Sequence, residues 1–237
     1  PDESSAGRGF AQYALGKKYR DGQGVERNIQ KAVELFTLAA KQGNSFAAFA
    51  LGKLYLAGDA ALPRDPAAAL KWLTYAAELG NQFAQYRLGK LLLKGDDGIP
   101  KDVITAIRWL TAAAKQENGY AEYALALVYL TGEDAPKDSV KALSLLKRSA
   151  GRGNQFAQYR LGKLLLQGED APKDVKAAIR WLTAAAEQGN QYAQYALGKL
   201  YLLGKEVPKD RSSAIKWFQL AADQGNEYAQ YFLKHMD

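Results

Sequence analysis

Apolar residues along this chain recur at helical spacing, and the same order of apolar and polar positions returns many times. Between Gln155 and Leu166, Ala157 and Leu161 stand four apart, and Leu164 and Leu165 follow a turn later, so they share one helical face. Gly168 ends this first helix, as glycine does at helix C-termini. A short turn, Glu169 to Lys173, includes Pro172, which stiffens the connection without breaking a helix. Asp174 stands where an N-cap belongs, and Val175 to Glu187 reads as the second helix. Trp181 and the pair Ala185 and Ala186 mark its packing face, and Gly189 with Asn190 closes the unit.

This two-helix unit is copied along the chain. Segments of the type Phe-Ala-Gln-Tyr start at Phe10, Phe46, Phe83, Tyr120, Phe156, Tyr192 and Tyr228, a period of 36 or 37 residues. Equivalent N-caps are Asn28, Asp65, Asp102, Asp138 and Asp210. The expected organisation is six repeats, over 10–45, 46–82, 83–119, 120–155, 156–191 and 192–227. An N-terminal extension, 1–9, precedes them, ordered only near Gly9, and a closing helix, 228–237, follows and caps the last repeat. A glycine recurs inside the first helix, at Gly16, Gly52, Gly89, Gly162 and Gly198. Glycine costs about 1 kcal/mol against alanine in a helix, so its return points to close approach of the paired helix. The fourth repeat has Ala126 there. Trp72, Trp109 and Trp217 repeat Trp181, while Leu35 and Leu145 replace it in the first and fourth repeats.

The pattern Ala-x-x-x-Leu-Gly-x-x-Tyr, then Gly, then Asp-x-x-x-Ala-x-x-Trp, then Ala-Ala-x-x-Gly resembles the Sel-1-like repeat, a relative of the tetratricopeptide repeat with a slightly longer unit. The likeness runs from Phe10 onward. It implies an all-α fold: a right-handed α/α superhelical solenoid of six two-helix repeats plus a C-terminal capping helix. It also implies a non-catalytic scaffold or adaptor that holds other proteins, as in protein quality control, bacterial signalling and host interaction. A narrower likeness sits in Asn154 to Leu166, Ala178 to Ala186 and Gly225 to Leu233, which resemble tails of conjugative relaxases (mobilisation proteins) of Gram-positive bacteria. There a DNA-nicking domain precedes the repeats, and nothing of it is in this sequence. That origin would imply a bacterial cytoplasmic protein. The near-identity of the third and fifth repeats fits an engineered, consensus-derived chain equally well.

Spacing places a second row of residues beside the core row. Tyr13 and Lys17, Phe49 and Lys53, Tyr86 and Lys90, Tyr159 and Lys163, and Tyr195 and Lys199 are each four apart, hence on one face. Leu56, Leu93, Leu130, Leu166 and Leu202, with Arg20 in the first repeat, extend the row by a turn. The matching positions line the ligand groove in tetratricopeptide proteins. The resemblance therefore implies a concave groove with an aromatic floor and a ladder of ammonium groups, suited to a peptide carrying carboxylates. The competing reading makes the aromatics inter-repeat packing groups and the lysines solvated ends of amphipathic stems. Tyr123 breaks the ladder, because Leu127 follows it where a lysine would stand.

Composition narrows the chemistry. The chain has 237 residues, 48% of them hydrophobic and 24% charged, which suits a folded chain. It has no cysteine, so disulfides and thiolate metal sites are excluded. No apolar run approaches the roughly 20 residues that span a bilayer. The chain begins at Pro1 without a methionine, which reads as a processed or excised segment. The only histidine, His235, lies near the end with no partners for a nucleophilic triad. The acid pairs Asp96–Asp97, Glu133–Asp134 and Glu169–Asp170 lie in turns, with too few ligands for a calcium site. No glycine-rich phosphate loop is present. No cofactor, metal or enzymatic activity is expected. The formal charge of +7 favours acidic partners. These are a protein or peptide first, and alternatively nucleic acid, met by the lysines and interleaved tyrosines of an accessory domain.

Overall fold

The computed structural model describes residues 3–236. They form thirteen helices, α1 (Glu3–Asp21), α2 (Ile29–Lys41), α3 (Ser45–Ala57), α4 (Pro66–Glu78), α5 (Gln82–Lys94), α6 (Val103–Lys115) and α7 (Gly119–Thr131), then α8 (Ser139–Gly151), α9 (Gln155–Gln167), α10 (Val175–Glu187), α11 (Gln191–Leu203), α12 (Arg211–Asp223) and α13 (Glu227–Lys234). The fold is an all-α solenoid. Within a repeat the two helices pack on each other, as α1 on α2 or α9 on α10, and second helices pack on the next first helix, as α2 on α3. The segment expected to be ordered only near Gly9 is helical from Glu3, in continuity with α1; Pro1 and Asp2 lie outside the described residues.

Two kinds of cap set the helix starts. Asn28, Asp65, Asp102, Asp138, Asp174 and Asp210 accept a hydrogen bond from the backbone N–H three residues on, at 3.0–3.1 Å, and start the second helices. Asn44, Asn81, Asn118, Asn154, Asn190 and Asn226 do the same for first helices. Asn190 therefore also caps the first helix of the next repeat. Gly168 and Gly204 end first helices in the left-handed region, at φ 75° and 66°.

The recurrent helix-interior glycine is explained by contact. A Cβ on Gly52 would lie 2.6 Å from Leu73, on Gly89 2.7 Å from Leu110, on Gly162 2.7 Å from Leu182 and on Gly198 2.6 Å from Phe218. The partner is always the residue after the tryptophan position. That residue, not the tryptophan, is the centre of the core. Phe36, Leu73, Leu110, Leu146, Leu182 and Phe218 are fully buried, whereas Trp72 and Trp181 are only half-buried. The Trp72 and Trp181 indoles lie toward the rim of this contact, and Trp109 and Trp217 are buried beside it. Lys71, Arg108 and Lys216 place a cation within 4.8–5.0 Å of Trp72, Trp109 and Trp217.

The chain divides into two compact units, Pro1–Ala121 and Glu122–Asp237. In the first, Phe36, Leu51, Leu73, Leu88, Ile99 and Leu110 fill the interior. In the second, Leu146, Leu161, Leu182, Leu197 and Phe218 do so. Here α13 packs on α12: the Phe232 ring stacks on Phe218 at 5.3 Å, and Met236 is buried in the same cluster. Lys234 holds the place that Gly198 holds one repeat earlier.

Candidate partner-binding face

The first helices present the aromatic and lysine row on one side. Each Asn cap fixes where its helix begins, so the aromatic residues of successive repeats come into register. Tyr13 meets Phe46 at 6.1 Å between ring centroids, and Tyr86 meets Tyr120 at 5.9 Å. In the second unit Tyr123 meets Phe156 at 6.3 Å, Tyr159 meets Tyr192 at 6.1 Å and Tyr195 meets Tyr228 at 5.8 Å. The second aromatic of one repeat thus packs on the first aromatic of the next, an inter-repeat role. The first aromatics stay open to solvent: Phe46, Phe83, Tyr120, Phe156 and Tyr192 are about half exposed. The row of candidate residues omitted them, although the Phe-Ala-Gln-Tyr segments that define the repeat begin on them.

The lysines lie over the rings. Lys17 Nζ is 4.6 Å from the centroid of Tyr13, Lys53 4.5 Å from Phe49, Lys90 6.0 Å from Tyr86 and Lys199 5.6 Å from Tyr195. Among the described residues no carboxylate pairs with Lys17, Lys53, Lys90, Lys163 or Lys199. Burial, with the neighbouring Arg20 and Arg87, holds the Lys53 ammonium below the usual lysine range. Burial and Lys199 do the same for Lys163. Burial raises the Tyr13, Tyr86, Tyr123, Tyr159 and Tyr195 phenols. A pocket of about 290 Å³ in the second unit is lined by Tyr159, Lys163, Tyr192, Tyr195, Lys199 and Leu203, among others. One of about 350 Å³ in the first unit is lined by Phe49, Lys53, Phe83, Tyr86, Arg87, Asn118 and Tyr120.

The turn acids are used differently. Asp59 accepts from Arg27 at 3.1 Å, Asp96 from Arg64 at 3.0 Å, Asp170 from Lys137 at 3.0 Å and Glu206 from Lys173 at 2.9 Å. Each pair joins one repeat to the next. Among the described residues no group of histidine and acid side chains is arranged to hold a metal ion. His235 is exposed, with Nδ1 2.8 Å from the Tyr231 carbonyl and its ring stacked on Tyr231 at 4.2 Å. No described helix is long and apolar enough to cross a membrane.

A polar pair of one buried and one exposed glutamine ties the two helices of a repeat, and periodicity alone does not reveal it. The Gln116 amide nitrogen donates to Gln85 Oε1 at 2.9 Å, Gln188 to Gln158 at 2.8 Å and Gln224 to Gln194 at 2.9 Å. The second repeat has Ala48 and Leu79 at these places. The fourth has an ion pair, Arg152 Nε to Glu122 Oε1 at 2.7 Å, with the Glu122 side chain wholly buried.

The paired helices, their regular caps and a surface that presents rows of side chains define a helical repeat protein. The chain belongs to the Sel1 repeat family. The family model described as Sel1 repeat matches residues 9–44, 45–81, 82–118, 119–154, 155–190 and 191–226. Sel1 repeat proteins are generally protein-interaction scaffolds and typically non-catalytic. A Sel1 repeat protein from Oxalobacter formigenes is 35% identical, with a TM-score of 0.85 over 98% of this chain and 67% of that one. The protective antigen c5321 of uropathogenic Escherichia coli, which displays an SLR fold, is 33% identical, with a TM-score of 0.81 over 96% of this chain and 50% of that one. The immunity protein PA5088 from Pseudomonas aeruginosa shares the fold alone, at 20% identity and a TM-score of 0.54 over 92% of this chain and 82% of that one. This chain therefore spans about two thirds of the Oxalobacter protein and half of the antigen. No curated protein sequence matches it.

Proposed function

We propose that this chain is a non-enzymatic scaffold that binds an acidic protein or peptide along the aromatic and lysine face of its first helices. The observation that carries this reading is the set of ammonium groups seated over rings with no carboxylate partner. Inter-repeat packing engages both aromatics of each pair, and it still leaves the first aromatics about half exposed and the lysines without a carboxylate partner. An acidic segment would relieve the mutual repulsion of these cations, and the rings would supply contact area. The site residues are Tyr13, Lys17, Phe49, Lys53, Tyr86, Lys90, Tyr123, Tyr159, Lys163, Tyr195 and Lys199.

The test is charge reversal. A partner is isolated on the intact chain, and its Kd is measured against the wild type and a Lys53→Glu, Lys90→Glu, Lys163→Glu variant. Roughly a hundredfold loss is expected, since three favourable contacts become repulsive. An unchanged Kd would show that the partner sits elsewhere. A generic single-stranded oligonucleotide that binds at about 150 mM salt, with a steep salt dependence, would assign the face to nucleic acid instead.

A further inference from the structure

Two arginines depart from the repeat pattern on this face. The residue after the second aromatic is Ala14, Ala50, Ala124 or Ala196 in four repeats, and Arg87 or Arg160 in the third and fifth. Ala50 and Ala124 are buried there, so a methyl group satisfies the packing at this position. The fold does not call for a guanidinium.

In the second unit, Arg160 lies close enough to Tyr123 and Tyr159 for its charge to act on both phenols. Its Nε is shut off from solvent and meets no acceptor among the described residues. A desolvated donor without an acceptor is unfavourable, and a turn of the guanidinium outward onto a ligand oxygen would satisfy it. In the first unit, Arg87 lines the pocket that holds Lys53 and Tyr86, and it also lines the neighbouring one with Lys90 and Lys94. No carboxylate of the described residues pairs with either arginine.

We infer that Arg87 and Arg160 are the specificity-determining anchors of the face, each receiving the carboxylate of an aspartate or glutamate side chain from an acidic segment of the partner. This rests on the reading of the face as the binding surface. Nε and one Nη of a guanidinium form a planar fork that matches the two oxygens of a carboxylate, and Nε is the unmet donor of Arg160. The charge of each guanidinium reaches the adjoining tyrosine phenols, and the lysines supply attraction at longer range. Lysine at the same place would keep the charge and lose the fork.

The experiment uses three fluorescein-labelled peptides with leucine at alternate positions and glutamate, glutamine or phosphoserine between. Anisotropy gives Kd for the wild type and for Arg87→Lys with Arg160→Lys, and a proton–nitrogen spectrum follows the Arg160 Nε–Hε signal. The glutamate peptide is expected to bind the wild type more tightly than its glutamine counterpart. The lysine variant should lose about tenfold at constant net charge. The Arg160 Hε signal should move downfield as the peptide saturates. The assignment is overturned by an unchanged Kd in the lysine variant, a stationary Hε signal, or no binding of the glutamate peptide. More than tenfold preference for the phosphoserine peptide overturns it in favour of phosphate. If lysine reversal weakens the isolated partner while arginine-to-lysine exchange does nothing, the face remains the binding surface and only the anchor assignment falls.

Discussion

The ion pair in the fourth repeat allows a sharp test of how the repeats are held. Glu122 is fully buried, and Arg152, about one third exposed, is bonded to it at 2.7 and 3.5 Å. Arg152→Gln strands a carboxylate in the interior. Removing one member of a buried pair costs about 3–5 kcal/mol. The lower end, about 3 kcal/mol, applies here because water reaches the rim where Arg152 lies. Glu122→Gln leaves a neutral amide beside an arginine that water already reaches, and should cost only about 1 kcal/mol. The double change installs the amide pair that already stands at Gln158 and Gln188, 2.8 Å apart. Its stability should return to within about 1 kcal/mol of the wild type, since replacing a buried ion pair as a unit is close to neutral. Urea unfolding of the four proteins closes the cycle. Stacked repeats can open locally, so amide exchange across α7 and α8 should accompany it. If Arg152→Gln costs less than about 1 kcal/mol, or the double variant is as unstable as that single one, then the pair does not act as the equivalent of the glutamine pairs.

Three further outcomes follow from the packing and the charges. Gly89→Ala places a Cβ 2.7 Å from Leu110 and 3.2 Å from the Ala106 carbonyl; the clash should outweigh the helix-propensity gain and cost about 1–2 kcal/mol by thermal unfolding, and a more stable variant would refute the close-approach argument. Phe232→Ala removes the ring stacked on Phe218 and should cost about 2 kcal/mol, read as a lowered Tm with early exchange in α12. Acid should destabilise the protein in a defined window. Hydrogen bonds hold the Asp102 and Asp210 cap carboxyls below the usual range, from Thr105 and Ser213 respectively, and Asp59 and Asp170 are lowered by Leu62 N–H and Lys137. Carboxyls lowered on folding add stability that is complete above their unfolded values and is lost as pH falls through the folded ones. Tm should therefore be level above about pH 5 and fall below about pH 4; a Tm independent of pH down to about 2 would contradict the capping bonds.

The sequence by itself determined the period, the helix pairs, the Asp and Asn caps of the second helices, and the glycines that admit a neighbouring helix. These depend on residues within a few turns of one another, or on the same residue returning at a fixed interval, and both can be read along a line. It also placed the lysines beside the aromatics, because a separation of four residues is a property of any helix. Only the tertiary structure showed that the residue after the tryptophan is the core. The two are adjacent in sequence, both large and apolar, and nothing local ranks them until the partner helix fixes which one points at the glycine. The same holds for Gln158 with Gln188, for Glu122 with Arg152, and for the Lys173–Glu206 link. Each joins side chains some thirty residues apart, and helical periodicity carries no information about which residues the stacking of one helix on another will bring together.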